Sequence, residues 1–175
     1  MSDLSYPIGQ FEAPANIIPE QITQWIDEIA ALPRLMESAV AGLSEAQLNT
    51  PYRTEGWTVR QVIHHMPDSH MGSYCRFHWA LTEDKPVIKA YDEKAFAAMD
   101  YHEDVPIDIS LGLLKAIHAR WVIMLRNLSP SDLERTFVHP ETKEINVLKN
   151  VIGLYAWHGK HHLAHILSLK KRLNW

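Results

Sequence analysis

Late in the chain stands His158-Gly-Lys-His161-His162-Leu-Ala-His165, four imidazoles within eight residues. Neutral imidazole is a common ligand for divalent transition ions, and on a helix His158 and His162 are four apart and share a face, so they can grip one ion. At 100° per residue, His162 lies about 40° and His165 about 20° from His158, on opposite sides. Val151, Leu154 and Leu169 lie within about 40° of the same direction, so these rings emerge from the apolar stripe. His161 points about 60° away, and His161 with His165 forms a competing pair at the same spacing. Two ligands leave any site incomplete, and a third must come from another element.

A second concentration is His64-His65-Met66-Pro67-Asp68-Ser69-His70. On a helix, His65 shares its side with Gln61, Ser69, Gly72 and Arg76, a small polar strip beside an apolar one, as in a cavity wall. His64 points about 100° away from His65 and is the weaker candidate. His70 lies among apolar positions and reads as a core histidine. Asp68 is three residues beyond His65 and four beyond His64. It can orient a histidine or hold a metal-bound water, or simply pair with His64 on the surface. His78, His102 and His118 have no evident partners and read as structural. Cys75 lies about 80° from His65, which argues against it as a ligand. The six tryptophans sit at bundle spacing and read as core.

These residues need helices to position them. Ile22, Trp25, Ile26, Ile29 and Leu32 recur at helical spacing after Pro19, and the pattern resumes through Leu43 beyond Pro33, where a kink or interruption is expected. Pro67 predicts a second kink near residues 63–66. Ser44 with Gln47 has the form of a capping box, and Thr58 opens the next long helix. Four helical segments emerge, over about 19–43, 57–82, 108–127 and 148–173. Residues 83–107 form a long crossover with one short helix around 92–99. Residues 136–138 and 144–147 look extended, with a turn between them. Leu43-Ser44 followed by Leu48 and Thr50 is echoed by Leu128-Ser129 followed by Leu133 and Thr136, consistent with two helical hairpins. The expectation is an all-α, up-down-down-up four-helix bundle in one domain over 1–175, with residues 1–18 an extended arm.

Composition narrows the partners. The 175 residues are 46% hydrophobic and 22% charged, with a formal net charge of −4, an ordinary globular mix with no basic field for nucleic acid or an anionic membrane. One cysteine excludes an intrachain disulfide and fits a reducing compartment. The first residues lack the basic and apolar runs of a signal peptide, and no apolar stretch is long enough to span a bilayer. A cytoplasmic location is expected.

Longer motifs carry a resemblance. Leu4-Ser5-Tyr6-Pro7-Ile8-Gly9, Thr50-Pro51-Tyr52-Arg53, Gly56-Trp57-Thr58-Val59-Arg60-Gln61-Val62-Ile63-His64-His65, Asp68-Ser69-His70-Met71, His139-Pro140 and Gly153-Leu154-Tyr155-Ala156-Trp157-His158 run across almost the whole chain. In these the sequence resembles the DinB-like superfamily of metal-binding four-helix bundles, and within it the YfiT-like branch of candidate metal-dependent hydrolases. Related members are S-transferases that use bacillithiol or similar low-molecular-weight thiols. The resemblance implies His65, His158 and His162 as the metal ligands, a small-molecule substrate and a homodimer. Pro67 departs from the branch's pattern, two residues past His65.

A site of three neutral imidazoles suits one divalent ion, zinc or nickel. Open positions on it would take water, giving hydrolysis, or a thiol, giving transfer to an electrophile. The competing expectation is a non-catalytic metal-binding stress-response bundle, which would need a fourth protein ligand to close the ion's shell.

Overall fold

Proline starts the first long helix. Pro19 occupies its first turn, where the missing N–H costs nothing, and α1 runs over Pro19–Val40 in the computed structural model, which describes residues 4–175. Residues 1–3, the beginning of the expected arm, lie outside the described residues. α1 buries Trp25, Ile26, Ile29, Leu32, Met36 and Val40, the stripe that periodicity marks. Pro33 lies inside α1 and Pro67 inside the next long helix, and neither ends its helix. The interruption expected at Pro33 does not occur, because its ring is buried and only one ladder hydrogen bond is lost. α1 stops just before Gly42, which adopts a φ of 75° that favours glycine.

A one-turn helix α2, Glu45–Leu48, is closed by the Ser44–Gln47 capping box, and α3, Val59–Thr82, by a second box between Thr58 and Gln61. The crossover then holds α4, Glu93–Ala97, capped by the Asp92 side chain, and a 3-10 turn at Asp100–Glu103 that periodicity does not reveal. α5 spans Ile107–Arg126 and α6 spans Pro130–Leu133. β1, Thr136–Val138, and β2, Ile145–Val147, form a small antiparallel hairpin with Thr136 opposite Val147. It leads directly into α7, Leu148–Leu173. Arg135 at the hairpin's foot donates to the carbonyls of Ala80 and Glu83, which closes the C-terminal end of α3.

The four long helices form the up-down-down-up bundle, with α1 and α3 each packed on both α5 and α7. Their apolar faces build two separate cores. One gathers Trp25, Ile29, Phe77, Trp121 and Ile152, and the other Leu32, Met36, Ile63, Met66 and Ile166. Between them, at the level of residues 65–70 on α3, 118 on α5 and 158–162 on α7, lies a layer of buried histidines. A polar layer inside a bundle costs stability unless each group finds a partner, so its hydrogen bonds decide how the site works.

Candidate metal centre

α3 contributes His65 and α7 contributes His158 and His162 to one cluster. One ligand-capable atom from each lies within 4.8 Å of the others, and among the described residues no other three metal-ligating side chains meet this way. His65 Nε2 and His158 Nε2 are 3.4 Å apart. A tetrahedral ion with nitrogen ligands at 2.0–2.1 Å separates neighbouring ligand atoms by about 3.3–3.4 Å. Nδ1 of His162 is buried with no hydrogen-bond partner, so the ring leaves one nitrogen unsatisfied. Donor type and spacing fit a divalent ion.

Electrostatics agree. Burial pushes His65 down to about 4. Burial also holds His158 and His162 well below their ordinary value, and the neighbouring histidines add to the effect. All three rings are therefore neutral at pH 7, with a lone pair available for a metal. Aromatic rings frame them. Trp57 sits 4.7 Å from His65 and stacks on His162 at 6.1 Å. Tyr91, on the crossover, brings its hydroxyl 3.5 Å from His65 Nδ1, and burial raises that hydroxyl above its ordinary pKa, so it stays protonated.

His158 and His162 line a cavity of about 670 Å³ together with Tyr6, Arg53, Trp57, Lys94 and Trp157, and His65 packs behind them against both rings. The N-terminal arm forms part of that lining. Gly9 accepts a hydrogen bond from Trp157 Nε1 at 3.2 Å, and Phe11 packs on the same indole.

The other candidates fall outside the cluster. His161 and His165 bring their Nε2 atoms to 2.9 Å, and His165 stacks on Tyr52 at 3.9 Å. They form their own buried pair. His64 turns to the opposite side, 2.7 Å from Ser110 Oγ and stacked on His102. Asp68 is half-buried and has no hydrogen bond to His65, His158 or His162. Burial raises its carboxyl, and His102 partly offsets that.

Two residues that read as core or structural do more. His70 Nε2 lies 3.1 Å from His158 Nδ1, and His70 Nδ1 lies 2.9 Å from His118 Nε2. His118, expected to stand without partners, is thus linked to a candidate ligand through one ring. Helical periodicity gives direction within a helix and not the partner across the bundle, so the reading from sequence had no access to this contact.

Comparison with known proteins places the geometry. A candidate metal-dependent hydrolase of Oceanobacillus iheyensis is 56% identical over 97% of this chain and 98% of its own. A relative of the same description from Bacillus cereus is 54% identical over the whole of both chains. The structure of YfiT from Bacillus subtilis, described as a candidate metal-dependent hydrolase with an unusual four-helix-bundle topology, superposes with a TM-score of 0.96 at 46% identity, covering 98% of each chain. A mycothiol-dependent maleylpyruvate isomerase shares the fold alone, at 16% identity and a TM-score of 0.60 over 80% of this chain and 60% of its own. The family model of the DinB superfamily matches residues 28–166, a span that takes in the histidine layer, two of the long helices whole and most of the other two, and the chain belongs to that superfamily.

Proposed function

We propose that the chain is a metal-dependent hydrolase acting on a small polar substrate. The observation that carries this is the convergence of three neutral histidines from two helices, two of which, His158 and His162, line an accessible cavity. Three protein ligands without a fourth are the pattern of a reactive rather than a closed structural site. When bound, a divalent ion supplies Lewis acidity and activates water for attack.

The chain's own residues do the rest. His65, His158 and His162 would hold the ion. Trp57 covers two of the three rings and excludes bulk water from that side. The Tyr91 hydroxyl steadies the outer edge of His65. Arg53 and Lys94, with Glu55 and Glu93, give the cavity lining both signs of charge, which suits orientation of a polar substrate over His158 and His162. Asp68, the water-holding candidate from the sequence, stands one turn from His65 without touching the three rings or lining the cavity, so a substitution decides its part. Asp68→Asn should lower kcat while leaving metal content unchanged, and loss of metal instead would assign it a structural part.

Metal analysis of purified protein, followed by reconstitution with zinc or nickel and assay of small amides and esters, tests the reading. Metal-dependent hydrolysis that His162→Ala abolishes is the expected result. Turnover confined to assays that pair a low-molecular-weight thiol such as bacillithiol with an electrophile would replace hydrolysis by thiol transfer. A bound ion with no turnover in either panel would leave a non-catalytic metal-binding bundle.

A further inference from the structure

Pro33 has no N–H, so the helix α1 leaves the carbonyl four residues earlier, that of Ile29, without its ladder donor. That carbonyl points across the bundle at α5, where it lies 2.7 Å from His118 Nδ1. From there the contacts run on without a break, from His118 Nε2 to His70 Nδ1 at 2.9 Å and from His70 Nε2 to His158 Nδ1 at 3.1 Å.

The direction of this chain is fixed by its far end. A carbonyl oxygen only accepts, so His118 Nδ1 must carry the hydrogen. His70 is fully buried and His118 nearly so, and among the described residues none of the three rings hydrogen-bonds a carboxylate. An unpaired buried charge is costly, so each ring carries one ring hydrogen. His118 Nε2 is then bare and must accept from His70 Nδ1–H. His70 Nε2 is bare in turn and accepts from His158 Nδ1–H. We propose that the Ile29 carbonyl, freed by Pro33, sets the tautomers of His118, His70 and His158 in succession, so that His158 turns a bare Nε2 to the centre.

His70 and His118 are thereby positioning residues. An outer hydrogen bond that fixes tautomer and ring orientation is a general need of metal-binding histidines. Here it is met from a backbone carbonyl through two further rings and not by an adjacent carboxylate. The consequence for metal affinity rests on the metal-centre reading, whereas the tautomers do not.

The test is 15N-resolved NMR of the metal-free, folded protein. His118, His70 and His158 should all show a protonated, pyrrole-type Nδ1 and a bare, pyridine-type Nε2. A His158 with its hydrogen on Nε2 overturns the proposal, whatever the protein binds or catalyses. His118→Gln keeps one acceptor and one donor at similar separation, and should preserve the His158 tautomer and stay near wild-type zinc affinity. His118→Leu removes both, and should leave His158 in mixed tautomers with zinc affinity about 10–100-fold weaker in chelator competition. A Leu variant with wild-type affinity and a single His158 tautomer also overturns it. Should circular dichroism show that the Leu variant is unfolded, the wild-type spectrum and the Gln variant decide. Absence of zinc binding by the wild type would refute the metal centre and leave the tautomer assignment to the spectrum alone.

Discussion

Burial pushes His64, His65 and His118 down to about 4, and His165 to about 3, from 6.5 in an unfolded chain. Between these values and 6.5 the unfolded chain binds more protons than the folded one, so stability falls as pH falls through that window. The contribution of these rings is fully present above pH 6.5 and is lost as pH drops towards 4. Thermal unfolding of the metal-free protein should show a Tm lower by about 10 °C at pH 5 than at pH 7. An unchanged Tm would mean that the rings take up protons in the fold as readily as in the unfolded chain. Single substitutions separate the neighbouring pairs. His158→Ala and His162→Ala should each abolish stoichiometric metal in elemental analysis, while His165→Leu should retain it. Retention by His162→Ala, with loss in His161→Ala, would place the ion on the other face of α7.

At the scale of the helix, α1 and α7 approach closely enough that side chains on one need glycine on the other. A Cβ built on Gly153 would lie 2.9 Å from the buried Trp25 ring, and one on Gly159 would run into Leu32. Gly153→Ala should therefore destabilise by about 1–3 kcal/mol from overpacking, less about 1 kcal/mol regained in helix propensity. Denaturant titration measures this. Arg135→Ala should cost a similar 1–3 kcal/mol, roughly the value of hydrogen bonds from a charged donor to the end of α3. The helices themselves were readable from local signals. Ser44 and Thr58 mark their starts through capping boxes, and the apolar period of α7 ends in Lys170, Lys171 and Arg172. His158 and His162 were readable for the same reason, since i,i+4 spacing on an inward stripe is a local property, whereas His65 rested on the polar strip of its helix and on the resemblance. What escaped is tertiary. His70 meets partners 48 and 88 residues away, and Tyr91 reaches His65 from an irregular crossover without period. Pro33 signalled a break by propensity, but in the bundle its missing donor is matched by a histidine of another helix.

For the whole molecule, no described helix is long and apolar enough to cross a membrane. The homodimer implied by the resemblance is proposed through α5, which leaves Ile109 59% and Ile123 66% exposed. Sedimentation at micromolar concentration should give a dimer, which Ile123→Glu should shift towards monomer; a wild-type monomer ends the proposal. The pairing of His65 with His158 has a further consequence, for the order in which the protein is made. These rings stand 93 residues apart, and the arm's Gly9 meets Trp157 across 148. During synthesis α3 emerges with a single ligand and must wait for α7. The arm, translated first, acquires its partner last. Contacts of such separation form late and slowly. A nascent or truncated chain therefore holds no complete grip for an ion, and metal content becomes a reporter of finished folding.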